Sequence, residues 1–229
     1  SFTTGAPPPP PPTEGPGGPI LVISSATNPF SRYTVEILRA EGLNEFFAMD
    51  VTEVTPAVMN SYDVIILGEF PVTDQFVTDL TDWVGGGGVL VAFRPDARLC
   101  GLLGITSSGG TLTDAYLLVS NTTGPGAGIV GETIQFHSAA DLYSLSGATA
   151  LATLYSDAST ATSYPAVTEI LVGANGGKAY AFTYDLPRSV VYTRQGNPAW
   201  AGQKRDGKID PIRSDDMFVP PLDLSEPGW

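Results

Sequence analysis

Cysteine and histidine are almost missing from this chain of 229 residues: Cys100 and His137 are the single representatives of each. One cysteine excludes an intrachain disulfide and a thiolate-based structural zinc site, and one histidine excludes a His-rich metal site. Basic residues are scarce as well. Eleven Lys and Arg face 24 Asp and Glu, a net charge of −13 with no Lys/Arg cluster standing out. Nucleic-acid binding needs a basic surface to neutralise phosphates, so the charge argues against that class. No apolar run approaches the roughly 18 residues of a membrane-spanning helix. The first strand-to-helix turn, Ser24-Ser25-Ala26-Thr27-Asn28-Pro29, has no glycine, where dinucleotide-binding folds need glycines for close phosphate approach. No cofactor and no bound metal are expected.

Proline and glycine, by contrast, are plentiful at 20 and 26 residues. Pro7 to Pro12 run unbroken and lead into Gly15-Pro16-Gly17-Gly18-Pro19. Such a composition favours a polyproline II spacer followed by a flexible joint, so residues 1–18 are expected to be a linker. Only 15% of residues are charged. The polar but weakly charged composition points to an extracellular or cell-surface location, with room for an upstream targeting segment.

From Pro19 the pattern becomes regular. Ile20–Ile23, Phe46–Val51, Asp63–Gly68 and Val89–Phe93 are apolar runs bounded by turn residues, as expected of buried parallel strands. Between them lie a helix over Arg32–Glu41 capped by Ser31, a short one opened by Thr55 or Pro56, and one over Asp74–Val84 capped by Thr73. This alternation predicts an α/β fold: a three-layer, doubly wound, mainly parallel sheet. After Gly101 the helical period is lost. Leu112–Ser120, Gly131–His137, Ala150–Tyr155, Ala166–Val172 and Lys178–Tyr184 are expected as strands, with a hairpin turn at Asn175-Gly176-Gly177. The C-terminal half is therefore β-rich and expected to extend the sheet with an antiparallel edge. Residues 19–187 form the predicted domain. From 188 to 229 periodicity fades, and this stretch is expected to be an arm or linker toward a downstream domain. Val190-Val191-Tyr192, Trp200 and Met217-Phe218 are its apolar anchors. Asn121-Thr122-Thr123 fits the N-glycosylation pattern, and Asp206-Gly207-Lys208-Ile209-Asp210 is only a fragment of a calcium loop, without its bidentate glutamate.

Chemistry is expected just after Phe93, because α/β proteins place ligands at the carboxyl ends of their strands. Arg94-Pro95-Asp96 stands there. The order of elements over Pro19–Leu103, together with Pro165–Leu186 and its phrase Gly177-Lys178-Ala179-Tyr180-Ala181-Phe182, resembles class I glutamine amidotransferase-like domains of flavodoxin-like fold. The resemblance includes their trehalose-utilisation-like and β-galactosidase trimerisation-domain branches. In active members a cysteine occupies a strained elbow at this strand end, supported by a His–Glu pair. Here Arg94-Pro95-Asp96 fills the elbow, Cys100 lies at least six residues beyond the strand between leucines, and Gln135-Phe136-His137 is followed by Ser138-Ala139 without the glutamate. The resemblance thus implies a catalytically degenerate domain. The phrases Ser189–Gln203 and Ile212–Phe218 are similar to the join that precedes polysaccharide-deacetylase-like domains in exported bacterial proteins.

Glu69, just past the third strand, and Asp96, just past the fourth, share the sheet edge with Arg94. Two carboxylates there can do acid–base work or hold a cation. In the alternative, Arg94 and Arg98 pair with them and hold the elbow shut. The leading expectation is a non-catalytic accessory domain of an exported multidomain protein. It would pack on its neighbouring domain or help bind a polysaccharide. A hydrolase using Glu69 and Asp96, and an oligomerisation module, are the alternatives.

Overall fold

The computed structural model describes residues 18–122 and 124–195. The linker and the anchors Trp200 and Met217-Phe218 lie outside the described residues, as do the Asp206–Asp210 fragment and Thr123 of the glycosylation pattern.

The first four strands form one side of a large sheet and run parallel. β1 (Ile20–Ser24) runs beside β2 (Phe46–Asp50) and β3 (Val64–Leu67), and β4 (Val89–Phe93) pairs with β3. The four strands are joined by α1 (Tyr33–Ala40), α2 (Pro56–Met59) and α3 (Asp74–Gly85). β1 shows why both faces must be covered. Its Leu21 and Ile23 point into a core with Met59, Leu80 and Trp83, whereas Val22 packs with Val35 and Phe46 on the other side. A period-two strand that is apolar on every residue has no solvent face, and helices on both sides give the three layers. The expected caps hold at Thr73, which accepts from Phe76 N at 3.2 Å, and at Thr55, which accepts from Val58 N at 3.3 Å. Ser31 does not cap α1. It is fully buried, accepts from Ser25 N at 3.0 Å and donates to Asn28 O at 2.7 Å. Asn28 caps the 3-10 turn Pro29–Arg32 that leads into the helix.

The second half lengthens the same sheet. β5 (Ile105–Thr113) and β6 (Tyr116–Val119) come first, followed by β7 (Ile134–Gln135), β8 (Ala139–Leu145), β9 (Thr149–Tyr155), β10 (Ala161–Val172) and β11 (Gly177–Phe182). The sheet order is β2-β1-β3-β4-β11-β10-β9-β6-β7, while β5 and β8 pair as a separate ribbon. β11 joins β4 in parallel, and the strands beyond it are all antiparallel. The four ladders of the central part, from β2 to β11, are parallel as expected, and the four beyond them are the antiparallel extension.

Three strand expectations change. The run Leu112–Ser120 is cut at Asp114, which has φ of +48° and whose carboxylate accepts from Ser138 N at 2.8 Å. Gly131–His137 shrinks to the two residues of β7. β8 has no counterpart in the sequence reading, because its half-polar residues show no clear alternation. Pro165, an unusual residue inside a strand, sits where the β10–β9 register shifts, as a bulge tolerates.

Residues from Pro187 onward begin with a helix, α4 (Leu186–Gln195), instead of an extended arm. Asp185 accepts from Arg188 N at 3.3 Å just before it. Proline in a first helical turn loses no needed donor, so Pro187 is compatible with the start of the helix. Val191 is buried, and the Tyr192 ring meets Phe30 edge-on at 5.5 Å.

The β10–β11 hairpin turns at Gly176, with φ of +83°. The next residue, Gly177, lies against the main-chain carbonyls of Val84 and Val172, with no room for a Cβ. Gly177→Ala is expected to destabilise the domain by roughly 1–3 kcal/mol, as overpacking does. At this length that is about 2–4 °C of melting temperature per kcal/mol. A thermal melt unchanged from the parent would show that the end of α3 gives way freely.

Candidate functional site

The carboxyl edge of the parallel strands carries the expected residues, and three more that sequence reasoning missed. Glu69 follows β3, and its main-chain oxygen accepts from Asn28 Nδ2 at 2.8 Å. Arg94 follows β4 with φ of +38°. That conformation is sparsely populated for a non-glycine residue and costs on the order of 1–3 kcal/mol. It is held by Arg94 N donating to Phe182 O at 2.8 Å and by the side chain. Arg94 Nη1 donates to Glu69 Oε1 at 2.9 Å. Nε and Nη2 fork onto Asp141 of β8 at 3.2 and 3.0 Å.

Arg188 of α4 approaches Glu69 from the other side. Its Nη2 donates to Glu69 Oε2 at 3.2 Å and its Nε to Asp185 Oδ2 at 3.2 Å, while the guanidinium carbon lies 4.4 Å from the centre of the Phe30 ring. One carboxylate thus bridges two arginines. Three carboxylates share two guanidinium groups, and Asp185 lies deepest, with no exposed surface. Burial, then hydrogen bonding with the Glu69 carboxyl, pushes Asp185 up to about 6. Burial opposes the charge on Arg94, but the hydrogen bond and charge of Asp141, with Glu69, outweigh it and raise its pKa.

Asp96 belongs to a neighbouring, separate knot. Its carboxylate accepts from Val72 N at 3.1 Å and Arg98 N at 2.9 Å, and pairs with Arg98 Nη1 at 3.1 Å. Arg98 also reaches Asp74, in the first turn of α3, at 3.2 Å. Glu69, Arg94, Asp96 and Asp141 line one cleft of about 470 Å³, closed behind by Phe70 and Tyr143. The structure therefore brings Glu69 and Asp96 to a common cleft, but Glu69 is engaged by Arg94 and Arg188, and Asp96 by Arg98. The cleft offers guanidinium donors and carboxylate acceptors, a lining suited to hydroxyl groups.

Cys100 and His137 do not line this cleft. Cys100 is half-buried against the core, and burial, with Asp96 and Asp141, pushes its thiol up, which disfavours the thiolate. His137 is buried, and its main-chain N donates to Ser189 Oγ at 3.1 Å. Burial lowers its imidazole pKa, with Asp114 acting in the opposite sense. Among the described residues no group of three His, Cys, Asp or Glu is arranged for a metal ion, and no helix is long and apolar enough to cross a membrane.

No family model matches the chain, and no curated protein does. Solved structures match its fold. A β-galactosidase from Bacillus circulans sp. alkalophilus superposes with a TM-score of 0.56 at 15% identity, over 78% of this chain and 31% of the other. The exo-β-1,4-mannosidase Op5Man5 from Opitutaceae bacterium strain TAV5 gives 0.56 at 14% identity, over 80% and 34%. A ThuA-like protein from Bacteroides uniformis gives 0.54 at 12% identity, over 72% and 81%. This chain is thus similar in fold to a nearly whole small protein and to about one third of each glycosidase. Identities this low carry the α/β architecture and nothing finer.

Arg94→Ala is expected to destabilise the domain in urea melts by roughly 2–3 kcal/mol, less than the loss of a partner from a fully buried pair. The discount follows from the 22% exposure of the Arg94 side chain. Arg94→Lys should lose most of that stability, because an ammonium cannot bridge Glu69 and fork onto Asp141 at once. Parent stability in the lysine variant would show that charge alone matters.

Asp185 gives a pH signature. Its folded-state pKa, about 6, lies above the unfolded value of about 3.9. Between the two the folded state holds more protons, so this group's contribution falls as pH rises from about 4 to about 6. Relative to Asp185→Asn, the parent should lose stability steadily across that window and level off above it. A difference between the two that is flat from pH 4 to 7 would refute the assignment.

Proposed function

We propose that this chain is a non-catalytic accessory domain of a longer, carbohydrate-associated protein, exported and of bacterial type. Its task would be to pack on a neighbouring domain or to contribute a glycan-contacting cleft. The observation that carries the non-catalytic reading is the occupation of the strand-end elbow. Arg94 stands where a nucleophile would have to stand, and its guanidinium is committed to Glu69 and Asp141. Asp96 is consumed by two main-chain N–H groups and Arg98. A general acid or base must be able to meet substrate and exchange its proton. Neither carboxylate is left in that position, which weighs against the hydrolase alternative.

The fold shared with about one third of a β-galactosidase and of an exo-β-1,4-mannosidase supports the carbohydrate association. The cleft of hydroxyl-compatible donors and acceptors supports it from within the chain. The amidotransferase-like resemblance, with its thiol and histidine outside the cleft, supports degeneracy.

The test is a panel of chromogenic glycosides and esters, with free glutamine as a further substrate. The expected result is turnover indistinguishable from buffer, unchanged in Glu69→Gln and Asp96→Asn. Turnover by the parent that either substitution abolishes would replace the accessory reading with the hydrolase.

A further inference from the structure

Away from the strand-end cleft, the antiparallel half of the sheet carries a groove of about 410 Å³. Leu117, Val167 and Phe182 line it from the strands, and Leu186 and Val190 of α4 line it from the helix. Small-molecule sites have this size and this make-up, an apolar lining with a few placed polar groups. The polar groups of this groove are of one kind. Gln135 lines it, and its side-chain Nε2 is buried with no hydrogen-bond partner among the described residues. Arg194 lines it from the end of α4, with its side chain 52% exposed and its Nη2 3.8 Å from Glu41, a long surface pair that holds it weakly. The neighbouring hydroxyls are already engaged: Ser189 Oγ accepts from His137 N, and Thr193 Oγ1 donates to Ser189 O. No Asp or Glu lines the groove, although the chain's net charge is −13 and Glu69, Asp96 and Asp141 all line the strand-end cleft.

We infer that the groove binds a small amphiphile with an apolar body and one carboxylate, of the medium-chain fatty-acid class. The two nitrogen donors are close enough to serve a single head group. His137, two residues past Gln135, is tied to Ser189, and Arg194 follows Ser189 by five residues, roughly 7.5 Å of helix. The long arginine side chain spans that rise. An ionised carboxylate only accepts hydrogen bonds, so it satisfies both the guanidinium and the unpaired amide. The Gln135 end group meets it by turning about its last torsion, which has no sharp minima. The apolar body then lies over Leu117, Val167 and Phe182. A neutral alcohol brings no charge to Arg194, and an ammonium is donor-only and repelled by it. This inference does not depend on the accessory reading.

The test uses the full chain, labelled with nitrogen-15, and three probes that share one alkyl body: octanoate, octanol and octylammonium. Titration calorimetry should show saturable octanoate binding, tighter than either other probe by roughly tenfold, the scale of one charge-assisted hydrogen bond. Octanoate should also shift the Gln135 side-chain amide resonances in step with saturation, these being the pair missing from the spectrum of Gln135→Met. Arg194→Glu, at an exposed position, should weaken octanoate by roughly tenfold and leave both octanol binding and the thermal melt unchanged. Gln135→Met should weaken octanoate without lowering the melt, since it removes a donor that has no partner in the fold. Absence of saturable octanoate binding would overturn the inference, and so would octanol or octylammonium binding as tightly. Binding that leaves the Gln135 amide unshifted, or that Arg194→Glu does not weaken, would put the ligand elsewhere and refute it too. A lowered melt in Gln135→Met would show the amide to be already paired within the protein, with the same consequence.

Discussion

The fork of Arg94 onto Asp141, with its third donor on Glu69, is the contact on which the carboxyl edge of the sheet depends. A residue at φ of +38° in front of a proline is not a conformation that arginine adopts freely. It persists because four hydrogen bonds, one from the main chain and three from the guanidinium, over-determine it. Those bonds tie the end of β3, the end of β4 and the middle of β8 into one unit. The separate β5–β8 ribbon is thereby fastened to the parallel half of the sheet by charge as well as by the packing of Ile105 and Tyr143.

The same network reaches α4. Glu69 receives Arg94 on one oxygen and Arg188 on the other, and Arg188 in turn holds Asp185, the residue that opens α4. Such bridging lowers the entropic cost of each pair, since one side chain is fixed once and used twice. It also leaves one carboxylate in excess. The deepest carries the penalty, which is why Asp185 is the group whose proton affinity rises. α4 is therefore latched by ionic contacts at its start, while farther along its Val190 borders an apolar groove.

The chemistry of the edge follows from that saturation. The cleft's carboxylates all receive arginine or main-chain donors, which is the observation on which the proposed non-catalytic role rests. The solved structures of similar fold place this architecture both in a small ThuA-like protein and within larger glycosidases, so the fold is used alone and as a part. In this chain Arg94-Pro95-Asp96 fills the turn after β4, and the Arg94 side chain clamps it to Glu69 and Asp141.

The sequence by itself determined the parallel half. The runs at Ile20, Phe46, Val64 and Val89 are apolar on both faces, and only a sheet covered on both sides satisfies them, so the layers follow from local composition, while the spatial order of the strands came from the structure. It also placed Glu69, Arg94 and Asp96 at one edge, because strand ends in such a sheet converge there. Tertiary structure decided their partners. Asp141 lies 47 positions from Arg94 and Arg188 lies 119 from Glu69, while Arg188 and Asp185 are three apart, and an ion pair leaves no periodicity in the chain. The β8 strand was invisible for a related reason: its pairing with β5 follows from register across a ribbon, and half-polar residues give no alternation to read. Pro187 shows the same limit at one residue. A proline breaks or begins a helix according to what caps it, and that cap, Asp185, is held by Glu69 and Arg188 only once the chain has folded.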